Sequence, residues 1–296
     1  MTPQSTAITR KSASNLALAF VLLPKPKRDA MSVLYAFCRQ VDDVADAPSE
    51  PLPERRARLA AWREEVRRAC EGRPVTFPLA VELQPVIARY RLPFDSFDQL
   101  LRGVEMDLDI TRYQTWPDLE QYCYRVASVV GLLSVEIFGY QDPACRDYAI
   151  HLGKALQLTN ILRDVRADAE RGRIYLPQSE LQRHQVAPEE ILRHQYSDRF
   201  ERLAAAVAVE AKKYYALARQ TLPAADRRSM AAAELMGSVY WRLLKKLENR
   251  RFQVFGPVPT RLTKPQKALL VLRTWYRLVS NAPAQLRRRL TISAFS

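Results

Sequence analysis

Apolar residues recur along the chain at spacings of three and four positions, and prolines separate the periodic segments. Proline inside a helix removes a backbone hydrogen bond, so Pro85 predicts a break or kink in the third helical segment. No segment alternates with the period of two that a half-buried strand requires. The chain is therefore predicted to be all-α, with helices over 27–46, 54–72, 79–91, 95–109, 118–139, 144–170, 197–221, 226–253 and 265–281, and a short basic helix after Pro283.

No Gly/Ser-rich linker, low-complexity segment or internal repeat divides the 296 residues. We therefore predict a single helical domain over residues 1–296, with residues 1–15 as a mobile N-terminal segment. The 8 glycines form neither GxGxxG nor GxxxxGK, which removes the simplest sequence evidence for a dinucleotide or P-loop site. The 4 cysteines are far apart and include no CxxC, as is typical of reduced thiols in a cytosolic protein.

Two predicted helices carry aspartates four residues apart inside otherwise apolar sequence. Asp42 and Asp46 lie on the first helix, and Asp164 and Asp168 lie on the sixth. This spacing puts both members of a pair on one helix face. A single pair would most simply be a solvated surface with salt bridges. Two such faces would repel each other unless cations lay between them, and Mg²⁺ takes one or two carboxylates together with phosphate oxygens. The two pairs therefore predict a diphosphate held with Mg²⁺ between helices.

Further polar residues extend both aspartate faces. Tyr35 and Arg39 share the face of the first pair, and Gln157 and Asn160 share the face of the second. A guanidinium fork suits phosphate oxygens, so nearby arginines support a phosphate site. The arginines close to the two pairs in sequence are Arg39, Arg163, Arg171 and Arg173.

Residues 35–46 (YAFCRQVDDVAD) and 156–168 (LQLTNILRDVRAD), the latter continuing through RGRIYLP at 171–177, resemble the two signature segments of the squalene and phytoene synthase family. The resemblance runs over nearly the whole chain and includes SASN at 12–15 and YCYRVASVVG at 122–131. Within the family, these last two segments are most similar to the bacterial hopanoid-pathway enzymes that form presqualene diphosphate.

The resemblance implies an isoprenoid-synthase-type helical bundle with a central active-site cavity. It implies head-to-head condensation of two farnesyl diphosphates to presqualene diphosphate and pyrophosphate, with two or three Mg²⁺ ions and without NADPH, in squalene and hopanoid biosynthesis. A complete NADPH-dependent squalene synthase and a phytoene or dehydrosqualene synthase remain alternatives. A basic helical module that binds nucleic acid is an alternative of another class, but it leaves the aspartate faces unexplained.

The resemblance also implies roles for individual residues. Metal ligation is implied for Asp42, Asp46, Asn160, Asp164 and Asp168. The catalytic group is completed by Tyr35, Arg39, Arg163 and Tyr175. Substrate binding is implied for Ser12, Ser14, Asn15, Phe20, Tyr122, Val126, Ala127, Val130, Gly131, Gln157, Arg171 and Tyr240. The small residues Ala127, Gly131 and Ser134 could leave volume for farnesyl tails, or they could allow close packing of two helices.

The net charge of +14 (46 basic against 32 acidic residues) could attract anionic lipid headgroups or nucleic acid, or could merely solvate the surface. No run reaches the roughly 18–20 apolar residues of a membrane-spanning helix. We predict a cytoplasmic protein attached peripherally to an anionic membrane surface. Its expected partners are farnesyl diphosphate and downstream hopanoid-pathway enzymes, without nucleic acid.

Overall fold

The computed structural model describes Ser5 and the ranges 19–47 and 50–280. Within these ranges the chain forms helices and no strands, which confirms the all-α prediction. An isolated parallel bridge pairs Arg112 with Ile174. The helices, in chain order, are α1 (Lys25–Ala45), α2 (Leu52–Cys70), α3 (Pro78–Tyr90), α4 (Phe94–Asp109), α5 (Trp116–Cys123), a π-helical turn (Tyr124–Ser128), α6 (Val129–Phe138), α7 (Ala144–Glu170), α8 (Gln178–Arg183), α9 (Pro188–Leu192), α10 (Asp198–Thr221), a 3₁₀ turn (Ala224–Asp226), α11 (Ala231–Asn249) and α12 (Lys264–Ser280).

Most helix boundaries agree with the sequence pattern to within two residues, but α11 is shorter at both ends than the predicted 226–253. The predicted helix 118–139 is interrupted by the π-helical turn between α5 and α6. The short helices α8 and α9 were not predicted, because five or six residues are too few to show a helical period. The basic helix expected after Pro283 and the mobile segment expected at 1–15 lie outside the described residues, apart from Ser5, which is helical and buried.

Of the break or kink predicted at Pro85, the break was wrong, because α3 continues through this residue. A proline leaves the carbonyl four positions earlier without its helical donor. That carbonyl belongs to Val81, which is 54% exposed, so water can take the place of the missing donor. Leu83 and Ile87, on either side of the proline, are buried and hold both halves of the helix in the core.

The longest helix, α7, occupies the middle of the bundle and packs most extensively against α10. It also contacts α5, the π-helical turn, α6, α9 and α11. The other aspartate helix, α1, packs against α2, α3, α4 and α6. Since α6 contacts both α1 and α7, it holds the two aspartate helices within one bundle, and the buried apolar residues from Ala19 to Leu270 form one continuous core.

The π-helical turn lies between two glycines on neighbouring helices. A Cβ atom on Gly153 of α7 would lie 2.5 Å from Cα of Ser128, and one on Gly103 of α4 would lie 2.7 Å from Cβ of Arg125. The Ser128 hydroxyl donates to the backbone carbonyl of Ile150 at 2.8 Å. These contacts fix the turn against α4 and α7, and π-helical turns often occur at functional sites.

No described helix combines the length and the apolar composition that crossing a bilayer requires. All four cysteines are free, as their spacing predicted.

Candidate active site

A cavity of about 860 Å³ opens between α1, α4, α7 and α11. Its size is near the upper end of the roughly 300–1,000 Å³ typical of small-molecule sites. Most of the residues that the sequence singled out contribute to its wall. They are Tyr35, Arg39, Asp42, Asp46, Tyr122, Val126, Ala127, Val130, Gln157, Asn160, Arg163, Asp164, Asp168, Arg171, Tyr175 and Tyr240.

Helix packing explains why the polar faces of α1 and α7 point inward. On α1, Leu34 and Val41 are fully buried in the core, which turns Asp42 towards the cavity. On α7, Leu162 and Val165 are buried in the same way on the side away from the aspartates. Each aspartate pair is therefore held at the cavity wall by apolar residues on the opposite side of its own helix.

Five predicted residues lie elsewhere. Ser12, Ser14 and Asn15 lie outside the described residues. Phe20 is buried and packs the edge of its ring on Tyr35, with centroids 6.4 Å apart, so it lies behind the cavity wall. Gly131 does not line the cavity, because a Cβ at this position would lie 2.9 Å from the carbonyl oxygen of Ala149 on α7.

The stripe of small residues therefore serves two purposes. Ala127 lines the cavity, whereas Gly131 allows α6 to approach α7 closely. The hydroxyl of Ser134 donates to the carbonyl of Val130 within its own helix at 2.7 Å. Close helix packing, one of the two explanations left open by the sequence, applies to Gly131, whereas Ala127 leaves volume in the cavity.

Arginines lie among the four aspartates at one end of the cavity. Arg173, which is 9% exposed, donates to the Asp46 carboxylate at 3.0 Å, and Arg171 lies 3.5 Å from the same carboxylate. Arg163 donates to Asp164 through its Nε atom at 2.7 Å. Carboxylates and guanidinium groups thus alternate around a space that is open to a ligand.

Burial and mutual repulsion raise the pKa of one carboxyl group in each pair. The pKa of Asp42 rises to about 7, chiefly because of burial and then because of Asp46. The pKa of Asp168 rises to about 8, chiefly because of burial and then because of Asp164. The Asp42 side chain still exposes 51% of its surface to the open cavity, so we regard Asp168 as the more strongly perturbed group. Both shifts show that negative charge is crowded at this end of the cavity.

The oxygen atoms here fit magnesium ions that share a diphosphate. Among the described residues, no three carboxylate, imidazole or thiol side chains converge closely enough to surround one ion by themselves. Mg²⁺ commonly takes only one or two carboxylates and completes its shell with phosphate oxygens and water. The side-chain oxygen of Asn160 is buried and has no hydrogen-bond partner in the described part of the chain. A buried amide oxygen left in this way needs a donor or a cation.

A second polar cluster, which the sequence did not reveal, centres on Asp107 of α4. The hydroxyl of Tyr175 donates to the Asp107 carboxylate at 2.7 Å, and the hydroxyl of Tyr122 donates at 3.0 Å. The two rings stack with centroids 5.0 Å apart, and Arg173 donates to the backbone carbonyl of Asp107 at 3.0 Å. Burial raises the pKa of Asp107 although both tyrosines stabilise its charged form. In sequence, Asp107 and Asp109 resemble the exposed acidic end of a helix, so no local signal marks this role.

The sequence also missed two cations on another wall of the cavity, Arg261 and Lys267. Neither side chain forms a salt bridge with any residue that the structure describes. Burial, together with the charge of Arg261, lowers the pKa of Lys267. Two unneutralised cations at a cavity wall favour an anionic ligand.

The remaining wall is apolar, and it is continuous with the polar end. Its residues come from α4, the π-helical turn, α6, α7 and α11: Leu100, Val104, Val126, Ala127, Val130, Leu156, Met236 and Leu243. The cavity therefore matches an amphiphilic molecule with an anionic head and an apolar tail.

Comparisons with known proteins agree with this chemistry. The sequence matches the squalene/phytoene synthase family over residues 9–268. It is 34% identical over 261 residues to a presqualene diphosphate synthase from Rhodopseudomonas palustris, covering 88% of this chain and 92% of that protein. It is 33% identical over 298 aligned positions to a phytoene synthase from Arthrospira platensis, covering 96% of this chain and 92% of that protein. A dehydrosqualene synthase solved in complex with a ligand superposes with a TM-score of 0.83 at 28% identity, covering 93% of this chain and 95% of that chain.

Proposed function

The chain belongs to the squalene/phytoene synthase family, and we propose that it joins two farnesyl diphosphates head to head, giving presqualene diphosphate and pyrophosphate. Proteins of this family are prenyl transferases that use diphosphate substrates. The observation that carries the proposal is the two-part cavity, in which carboxylates and cations lie at one end of an apolar chamber. A prenyl diphosphate matches both parts.

In the proposed first step, the C1–O bond of one farnesyl diphosphate breaks and the electron pair leaves with pyrophosphate. Magnesium ions bound at this site would supply Lewis-acid stabilisation of the leaving charge. Arg39, Arg163 and Arg171 lie close enough to the aspartates to bind the diphosphate oxygens, while Tyr35 and Gln157 orient the head group. The residues proposed to hold the ions are Asp42, Asp46, Asn160, Asp164 and Asp168.

In the second step, the C2=C3 double bond of the other farnesyl diphosphate attacks the C1 cation. Loss of a proton from this C1 then closes the cyclopropane ring, and the released pyrophosphate takes the proton. Tyr122 and Tyr175 each donate a hydrogen bond to Asp107, so their oxygens can act towards the cavity only as acceptors. Oriented oxygen dipoles of this kind stabilise a developing carbocation. We propose Asp107 as the residue that positions both phenols.

The second farnesyl diphosphate keeps its diphosphate group throughout and therefore needs its own anion site. Arg261 and Lys267 suit this group because they lie on the cavity wall without an acidic partner among the described residues. The tails would lie against Val126, Ala127 and Val130.

Phytoene synthesis is the second candidate function, because a phytoene synthase is similar to this chain at nearly the same identity. It would require two twenty-carbon tails in place of two fifteen-carbon tails. A complete squalene synthase would also ionise presqualene diphosphate and reduce it to squalene with a hydride from NADPH. Product analysis separates these reactions.

The test incubates purified protein and Mg²⁺ with farnesyl or geranylgeranyl diphosphate, with and without NADPH, and identifies the products by mass spectrometry. We expect presqualene diphosphate from farnesyl diphosphate in both cases, and little turnover of geranylgeranyl diphosphate. Dominant squalene in the presence of NADPH would instead establish a complete squalene synthase. Efficient phytoene formation would overturn the proposed tail length.

Two finer parts of the proposal concern the surroundings of the enzyme. A product with two farnesyl chains and one diphosphate group is amphiphilic and partitions into membranes, where we propose that an enzyme of the hopanoid pathway takes it up. For the same reason, we propose that the protein works at an anionic membrane surface.

A further inference from the structure

Helix α12 carries an apolar stripe on its solvent-facing side. Leu269 is 56% exposed, Leu272 is 61% exposed and Tyr276 is 68% exposed. Their spacing of three and four residues puts them on one helix face, which we call the α12 face. On the opposite side, Leu270 and Thr274 are buried, and this side packs α12 against α11. One side of α12 is therefore packed against α11, and the opposite, solvent-exposed side also carries apolar residues.

The α12 face belongs to the same segment that forms one edge of the cavity. Residues 259–262 and Lys267 line the cavity directly before and at the start of α12. Val258, next to the lining residues, is 78% exposed. The exposed Val258 thus adjoins the cavity-lining residues along the chain, and the α12 face begins two residues after Lys267.

Charge distinguishes this segment from the rest of the surface. Several basic clusters that contribute to the net charge of +14 are paired with acids, as in Arg58 with Glu50 at 2.5 Å and Arg68 with Glu64 at 3.1 Å. Residues 252–296, in contrast, contain eight Lys and Arg residues and no Asp or Glu. The basic side chains near the α12 face therefore have no acidic residue nearby in sequence, and an anionic surface can neutralise them.

We propose that the α12 face docks on the surface of an anionic phospholipid bilayer, with the apolar side chains inserted at the headgroup boundary. This inference rests on the proposed function, since it places the rim of the cavity at the source of an amphiphilic substrate. Apolar contact and charge act together here, as they do for other helices that lie in a membrane interface.

The experiment uses the full chain and unilamellar vesicles of phosphatidylcholine, alone or mixed with phosphatidylglycerol, and measures binding by flotation. The unmodified protein should float with the anionic vesicles, and added salt should weaken this binding. The Leu269→Glu/Leu272→Glu variant should bind at least about tenfold more weakly, because two leucines lose their apolar burial.

A matched control places the same two charges on exposed apolar positions of other helices. Val81 is 54% exposed on α3 and Val209 is 63% exposed on α10. The Val81→Glu/Val209→Glu variant lowers the net charge by the same amount as Leu269→Glu/Leu272→Glu. It should bind vesicles within about twofold of the unmodified protein. Circular dichroism checks that both variants keep their helix content. Flotation needs no catalysis, so this result is independent of which product the enzyme forms.

Three outcomes would overturn the proposal. The first is equal binding of the unmodified protein and the Leu269→Glu/Leu272→Glu variant, and the second is equal loss in the control. The third is a dimer of the unmodified protein that the Leu269→Glu/Leu272→Glu change converts to a monomer without weakening vesicle binding. This last result, measured by light scattering, would assign the α12 face to a second copy of the chain.

Discussion

Gly153→Ala tests whether the contact between α7 and the π-helical turn sets both the stability of the bundle and the shape of the cavity. The added Cβ would lie 2.5 Å from Cα of Ser128, 2.7 Å from its nitrogen and 2.9 Å from the carbonyl carbon of Ala127. Favourable carbon–carbon contacts are about 3.5–4.0 Å long, so the two backbones must separate by about 1 Å. Backbone atoms cannot move aside by a rotamer change, so the shift must displace the whole turn.

Two opposing effects determine how much Gly153→Ala changes the free energy of unfolding. Overpacking of this kind costs about 1–3 kcal/mol, and the rigid backbone contact favours the upper part of that range. Replacing a glycine by alanine inside a helix returns up to about 1 kcal/mol. We therefore expect Gly153→Ala to lower the free energy of unfolding by about 1–2 kcal/mol. The turn carries Val126 and Ala127 into the cavity wall, and a misplacement of about 1 Å can cost on the order of 100-fold in turnover.

Gly237→Ala is the matched control, because Gly237 also lies inside a long helix. Its added Cβ would meet only the Cδ1 atom of Leu152, at 3.2 Å, and the end of a leucine side chain can move. This variant should be as stable as the unmodified protein or slightly more stable. Urea unfolding and steady-state turnover measure both effects. Unfolding of Gly153→Ala at the same urea concentration as Gly237→Ala would show that the π-helical turn is not held rigidly against α7.

The remaining predictions concern the charged end of the cavity. Because the pKa values of Asp42 and Asp168 are raised to about 7 and 8, both carboxyls are largely protonated at pH 6, and binding of Mg²⁺ with pyrophosphate should tighten from pH 6 to pH 9 with release of protons. Calorimetry in two buffers measures this release. Asp168→Ala should reduce the release and lower turnover by several orders of magnitude, whereas Asp29→Asn, an exposed change on α1, should do neither. Unchanged proton release in Asp168→Ala would remove this residue from the proposed metal site. Asp107→Asn should lower kcat by roughly 10- to 100-fold with a smaller change in KM, because one phenol loses its acceptor. An unchanged kcat would show that the phenols do not need Asp107.

The sequence alone determined the features that depend on local periodicity. Apolar spacing of three and four residues requires helices, and aspartates four residues apart must share a helix face whatever surrounds them. The sequence therefore predicted the polar faces of α1 and α7. It also predicted that carboxylate oxygens and arginines lie together on these faces. The signature segments around Asp42 and Asp164 also indicated the family.

Only the tertiary structure decided which distant residues meet. Asp107 joins Tyr122 and Tyr175 because α4, α5 and the segment after α7 converge, and no spacing along the chain encodes that convergence. Arg261 and Lys267 become cavity residues only when the segment before α12 and the first turn of α12 fold over the bundle. The same limit applies to the small residues of the predicted helix 118–139. Ala127 and Gly131 look alike in sequence, yet one lines the cavity and the other contacts α7. Helix periodicity fixes which side chains share a face, whereas the distance between faces depends on how closely two backbones can approach.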